Sequence, residues 1–220
     1  MAIVRAQLAS EAEFLAWLQA NAVPNIFSRV VLEDDNKTIT AYDDDDNVVI
    51  QFDNKNLLAY VTDSVSKTYS SGNYSIIDQN YKANIIGCDN GFIMESRHAV
   101  GGASLLAMMC AKTNNGKVAV VFASGQTSNR TTVLRSSIKH IARGDNPSME
   151  TTTSFSEEAG QQTTLIPFST NVNVGEVSYT PDAFYIPMNT NYAMGIGKFL
   201  MVSDTYISNG YWAIRDGGAQ

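Results

Sequence analysis

The sequence predicts a mainly β protein, an antiparallel β-sandwich or barrel-like body with one N-terminal amphipathic helix and a small β-meander. Three observations predict it. First, Ser, Thr and Asn together make 56 of the 220 residues while charged residues make only 17%, below the roughly 25% of an ordinary soluble domain. Helix-rich proteins build soluble faces from Glu, Lys and Arg, whereas Ser, Thr and Asn suit the outer faces of strands and the turns between them. Second, short runs of β-branched and aromatic residues recur along the chain, separated by Asn/Asp-rich connections of the kind hairpins need. Third, only one segment carries a clear helical pattern.

That segment comes first. Ser10-Glu11-Ala12-Glu13 is a capping box, in which the Ser10 hydroxyl accepts from the Glu13 N–H while Glu13 reaches back. Phe14, Leu15, Trp17 and Leu18 follow at helical spacing, and Asn21 and Pro24 close the helix. Strand-like runs then span Phe27 to Leu32, Thr38 to Tyr42, Val48 to Phe52 and Leu57 to Thr62. The helix and this meander, residues 1–66, form one predicted zone. The polar stretch 64–73 reads as a boundary, and 67–220 as an antiparallel β body, continuous with the first zone or separate from it. In the body, strands are expected at Tyr74 to Ile77, Ala83 to Cys88, Phe92 to Ser96, Ser104 to Lys112 and Lys117 to Ser124, the last two joined by an Asn-Gly turn at 113–116. Residues 131–142 are ambiguous and 144–164 read as a long polar loop or arm. The last strands are expected at Leu165 to Phe168, Ala183 to Ile186, Lys198 to Val202 and Tyr211 to Arg215.

Charge is unevenly placed. Residues 1–50 hold nine acids against three basic residues, a net of −6 in a chain of net −7. No basic footprint for phosphate is present, so nucleic acid is not expected as a partner, and the acidic end suits a basic protein surface. No apolar stretch approaches the 18 or so residues of a membrane span, so no membrane is expected. The opening residues give no secretory signal. Cys88 and Cys110 read as buried small hydrophobes, with a single bridge as the alternative.

Catalytic chemistry finds little support, and no enzyme is expected. Glu95 and His98 lie too close on one extended strand to face the same way, and His140 sits in a basic run with Arg135, Lys139 and Arg143. Cys88, Cys110 and the two histidines lack the paired spacings of structural zinc sites. The run Asp43 to Asp46 lacks the alternating ligands, central Gly and distal Glu of a calcium loop and reads as a charged hairpin tip. Gly195-Ile196-Gly197-Lys198 opens a strand and lacks the rest of a phosphate-loop motif. No cofactor is expected.

The segments Leu165-Ile166-Pro167-Phe168, Tyr179-Thr180-Pro181-Asp182-Ala183-Phe184-Tyr185, Gly197-Lys198-Phe199-Leu200 and Ser208-Asn209-Gly210-Tyr211-Trp212-Ala213-Ile214-Arg215-Asp216 resemble the end of small virion structural proteins of tailed bacteriophages and prophages of gut bacteria. The resemblance covers residues 165–216 and rests on texture rather than on a catalytic signature. It implies a tail, baseplate, neck or capsid-associated subunit, assembled in the host cytoplasm into the virion. Such a protein acts through contacts with other virion proteins, as a symmetric homo-oligomer. Phe14, Trp17, Asp44 and Asp45 are then the candidate contact residues. The alternative is a receptor- or carbohydrate-binding module whose platform is Tyr206, Tyr211 and Trp212.

Overall fold

The computed structural model describes residues 3–61, 64–72, 74–80, 82–99, 103–112, 118–127, 166–173, 176–185, 202–203, 206–208 and 212–215. They form one helix and fifteen strands in three antiparallel sheets, so the mainly β class holds.

The meander forms as its alternation dictates. β2 (Arg29–Leu32), β3 (Ile39–Tyr42), β4 (Val48–Phe52), β5 (Asn56–Val61) and β6 (Ser64–Ser70) pair in chain order. Its three inner turns share one device. Asp35 Oδ1 accepts from the N–H groups of Lys37 and Thr38, both at 2.8 Å. Asp43 Oδ1 accepts from Asp45 N (3.1 Å) and Asn47 N (2.9 Å), and Asp53 Oδ1 from Lys55 N (3.0 Å) and Asn56 N (2.6 Å). Each turn also places one residue in the left-handed region, Asn36 (φ 55°), Asp46 (φ 66°) and Asn54 (φ 61°), which short polar side chains tolerate best after glycine.

The second sheet has the order β1 (Val4–Leu8), β7 (Ala83–Cys88), β8 (Gly91–Ala99), β9 (Ala103–Lys112), β10 (Val118–Thr127). The predicted boundary at residue 66 therefore runs through β6, and β1, from the first zone, pairs with β7. The segment Tyr74 to Ile77, expected as a strand, is a connection whose Ile76 and Ile77 are nonetheless buried.

The two sheets share one core. Ile39, Ile50, Phe52 and Leu57 of the meander belong to the same buried cluster as Ile85, Phe92, Met94, Leu106 and Met108 of the second sheet. Helix α1 (Glu11–Asn21) contacts the edge strands β1 and β2 and closes that side. Its Phe14 meets Phe52 edge-on at 5.1 Å and its Trp17 meets Phe92 at 5.5 Å, so one helix face touches both sheets. Each such side chain contributes about 1.5–3 kcal/mol by leaving water, and the helix also covers strand edges that would otherwise offer unpaired backbone.

The opposite face of the second sheet is buried too. Ile86, Cys88, Ile93, Ala107, Met109 and Ala111 are all at most 2% exposed yet lie outside the inner cluster. A third sheet, ordered β11 (Ile166–Asn173), β12 (Glu176–Tyr185), β15 (Trp212–Arg215), β14 (Tyr206–Ser208), β13 (Val202–Ser203), lies against it. Asn90 Nδ2 donates to Arg215 O at 2.9 Å, and the buried Ile214 sits against Gly91. Predicted features at 113–116, 131–142, 144–164 and 198–201 lie outside the described residues.

Candidate functional site

A groove of about 500 Å³ opens beside the N-terminus of α1, within the ~300–1,000 Å³ range of binding clefts. Leu15 of the helix and Leu32 at the end of β2 supply its accessible apolar surface, over the buried Ile39 at the start of β3 and Ile77. Leu32 is 44% exposed.

The sequence builds this groove by tying distant pieces together. The predicted capping box forms, with Glu13 N donating to Ser10 Oγ at 3.2 Å, but the Glu13 carboxylate reaches one residue further back than expected, accepting from Ala9 N at 2.7 Å. That fixes the entry of the helix, whose first turn lines the groove. Across from it, Asn54 imitates a strand. Its Nδ2 donates to Ile77 O (2.9 Å), its Oδ1 accepts from Ile77 N (2.7 Å), and its own carbonyl accepts from Ile76 N (2.6 Å). These bonds clamp the connection before β7 onto the β4–β5 turn. The Ser96 hydroxyl holds the same connection from below by donating to Ile76 O.

Glu11 is the notable polar group. Its Oε1 is out of solvent contact and has no hydrogen-bond donor among the described residues. Burial raises its pKa above the ordinary carboxylate value, and the nearby negative charges of Asp53 and Asp35 raise it further. Asp35 and Asp53 shift the other way. The Thr38 hydroxyl, then the Thr38 and Lys37 amides, hold Asp35 below its usual value. For Asp53, burial pulls upward but is outweighed by the bonds from the Asn56 side chain and the Lys55 and Asn56 amides. Two carboxylates, Glu11 and Asp78, belong to the groove's own lining. Asn36 and Lys37 join them there, and Lys37 is the one cation among the lining residues.

The structure redistributes the predicted contact residues. Phe14 (0% exposed) and Trp17 (6%) belong to the core. Their helical stripe is consumed inside the subunit, because the open side between β1 and β2 needs it, so neither offers a surface to a neighbour. Asp44 and Asp45 are exposed at the β3–β4 tip, where Asp44 pairs with Lys112 Nζ at 3.1 Å. In the same tip Asp43 is buried and spent on the turn, and Asp46 accepts from Arg29 Nε and Nη2 at 2.9 and 2.7 Å. No group of three or more metal-binding side chains occurs among the described residues. Both cysteines are buried thiols, not joined in a disulfide.

Tyr206 lies opposite Arg215 and Trp212 opposite Tyr185 in the third sheet, so positions 206 and 212 fall on opposite pleats. Tyr211 and His140 lie outside the described residues. Positions 95 and 98 also take opposite pleats of β8, whose pairing runs without a bulge. Comparison with protein-family models, curated proteins and solved structures found no match. The geometry is the guide that remains. No helix among the described residues is long and apolar enough to cross a membrane.

Proposed function

We propose that this chain is a structural component of a tailed-bacteriophage particle, such as a tail, baseplate, neck or capsid-associated subunit, and that it works by protein–protein contact. The observation that carries the reading is the groove beside α1, where the exposed Leu32 and the half-buried Leu15 adjoin the Glu11 and Asp78 carboxylates. Contact surfaces of this kind combine apolar area for affinity with fixed charge for orientation and register. The texture of residues 165–216, similar to the end of small virion proteins, supports the same reading. The subunit assembles in the host cytoplasm into the virion with other virion proteins and with copies of itself.

Mass spectrometry of purified particles tests this directly. The protein is expected at a fixed, integral copy number per particle, in an assembly burying more than about 1,000 Å² per contact. Its absence from particles, together with a monodisperse monomer at high concentration, would sink the reading.

A further inference from the structure

The sequence itself contains a segment of the chemistry the groove demands. Residues 130–143 carry Arg130, Arg135, Lys139 and Arg143 with no acid, interspersed with Val133, Leu134, Ile138 and Ile141. Four of the chain's fifteen Lys and Arg residues thus fall in fourteen positions, while the first fifty residues carry a net −6. The groove offers a complement: the exposed Leu32 and the half-buried Leu15, and the carboxylates of Asp78 and Glu11 against the single cation Lys37, with one Glu11 oxygen lacking a donor among the described residues.

We infer that the groove beside α1 is the docking site for residues 130–143 of a second copy of this chain. The aliphatic side chains cover Leu32 and Leu15 while an Arg or Lys approaches Glu11. This deepens the assembly reading and rests on it, since it says which surfaces of two copies meet. The two surfaces differ, so the contact is heterologous, and repeating it yields a closed ring or an open filament according to its rotation. Desolvated charge pairs of this kind set register and partner choice, and the rim charges make association depend on salt.

The test uses the full chain in sedimentation velocity at low and at high salt. Wild type is expected to self-associate at low salt and to dissociate as salt rises. Glu11→Lys, which reverses the groove, and Arg135→Glu/Lys139→Glu, which reverses the segment, should each weaken association by about tenfold or more. Mixing the two variants should restore it, because each then meets an opposite charge on the other. A restored mixture supports docking between copies. Failure of the mixture to associate overturns the inference, as does contact of the segment with its own groove, seen as cross-links confined to one chain. Self-association that neither variant weakens also overturns it, but leaves the assembly reading standing on another surface. Circular dichroism checks folding of each variant. Should Glu11→Lys unfold, fluorescence anisotropy with a labelled peptide of residues 130–143 on wild-type protein replaces it. Salt-sensitive binding of that peptide supports the inference, and no binding at low salt overturns it.

Discussion

Asp43 does for its turn what a backbone carbonyl cannot. Its side chain is buried and accepts from two amides and the Asn47 side chain at once, so removing it strands several donors. Asp43→Ala is therefore expected to cost about 2–3 kcal/mol, read as a lowered urea midpoint; an unchanged midpoint would refute this account of the turn. Asp53 and Glu11 make opposite predictions for pH. The folded pKa of Asp53 is lowered, so its contribution is complete above its ordinary value and is lost as pH falls through the folded one. Asp53→Asn should flatten that acid limb. The folded pKa of Glu11 is raised by burial and by Asp53 and Asp35, so stability falls as pH rises from about 4.5 through the raised value. Glu11→Gln should therefore stabilise the protein at neutral pH and have no such effect in acid. A midpoint difference that does not vary with pH would exclude this linkage.

Among the elements, α1 shows how a local signal and a distant need combine. The capping bond between Ser10 and Glu13 is local, and Ser10→Ala should lower stability by about 1 kcal/mol in thermal melts. The β7–β8 hairpin is limited by space. A Cβ on Gly91 would run into the Cys110 carbonyl and come within 2.9 Å of the Ile214 side chain. A backbone carbonyl cannot swing aside, so Gly91→Ala should cost about 1–3 kcal/mol, whereas an unaltered melting temperature would show that the third sheet is not seated there. The same contrast explains what was legible. Strands β2 to β5 and β7 to β10 announce themselves through apolar runs bounded by turn residues, and Ser10 and Glu13 announce the helix start. β6 was hidden because Ser64-Val65-Ser66-Lys67-Thr68-Tyr69-Ser70 is an edge strand, which needs few apolar residues. Ile76 and Ile77 looked like a strand, yet their amides go to Asn54, a partner more than twenty positions away that no local pattern reveals. Spacing marked Phe14 and Trp17 as one apolar stripe, but whether it served a neighbour or the subunit depended on where β1 and β2 ended up. The groove was invisible for the same reason, being built from the helix start, β2, β3, two turns and the connection before β7.

At the scale of the whole molecule, the second sheet is a shared wall with two unlike faces. The inner face meets the meander through Phe92, Met94, Leu106 and Met108 and their large partners. The outer face, toward the third sheet, mixes Ile86, Ile93 and Met109 with the small Ala107, Ala111 and Ala119 and holds the buried Glu95. Its alanines bring less apolar surface per position than Phe92, Met94, Leu106 and Met108 bring inside, and burying the Glu95 carboxyl opposes the gain, so the outer interface should open at lower cost than the inner one. The two cysteines are placed to report this. Cys88 belongs to the outer face, its Sγ lying 3.8 Å from Arg215 O, whereas Cys110 is in the inner core, where burial pushes its thiol pKa far up. In native protein neither thiol is expected to react with a maleimide at an appreciable rate. As urea rises, Cys88 should become labelled below the concentration at which circular dichroism shows global unfolding, and Cys110 only at that transition. Peptide mapping by mass spectrometry separates the two sites. Coincident labelling would mean that the three sheets unfold as one unit and that the outer interface is as strong as the inner. Labelling of Cys110 before Cys88 would contradict the layer order itself, because the meander would then have left the shared wall before the third sheet did.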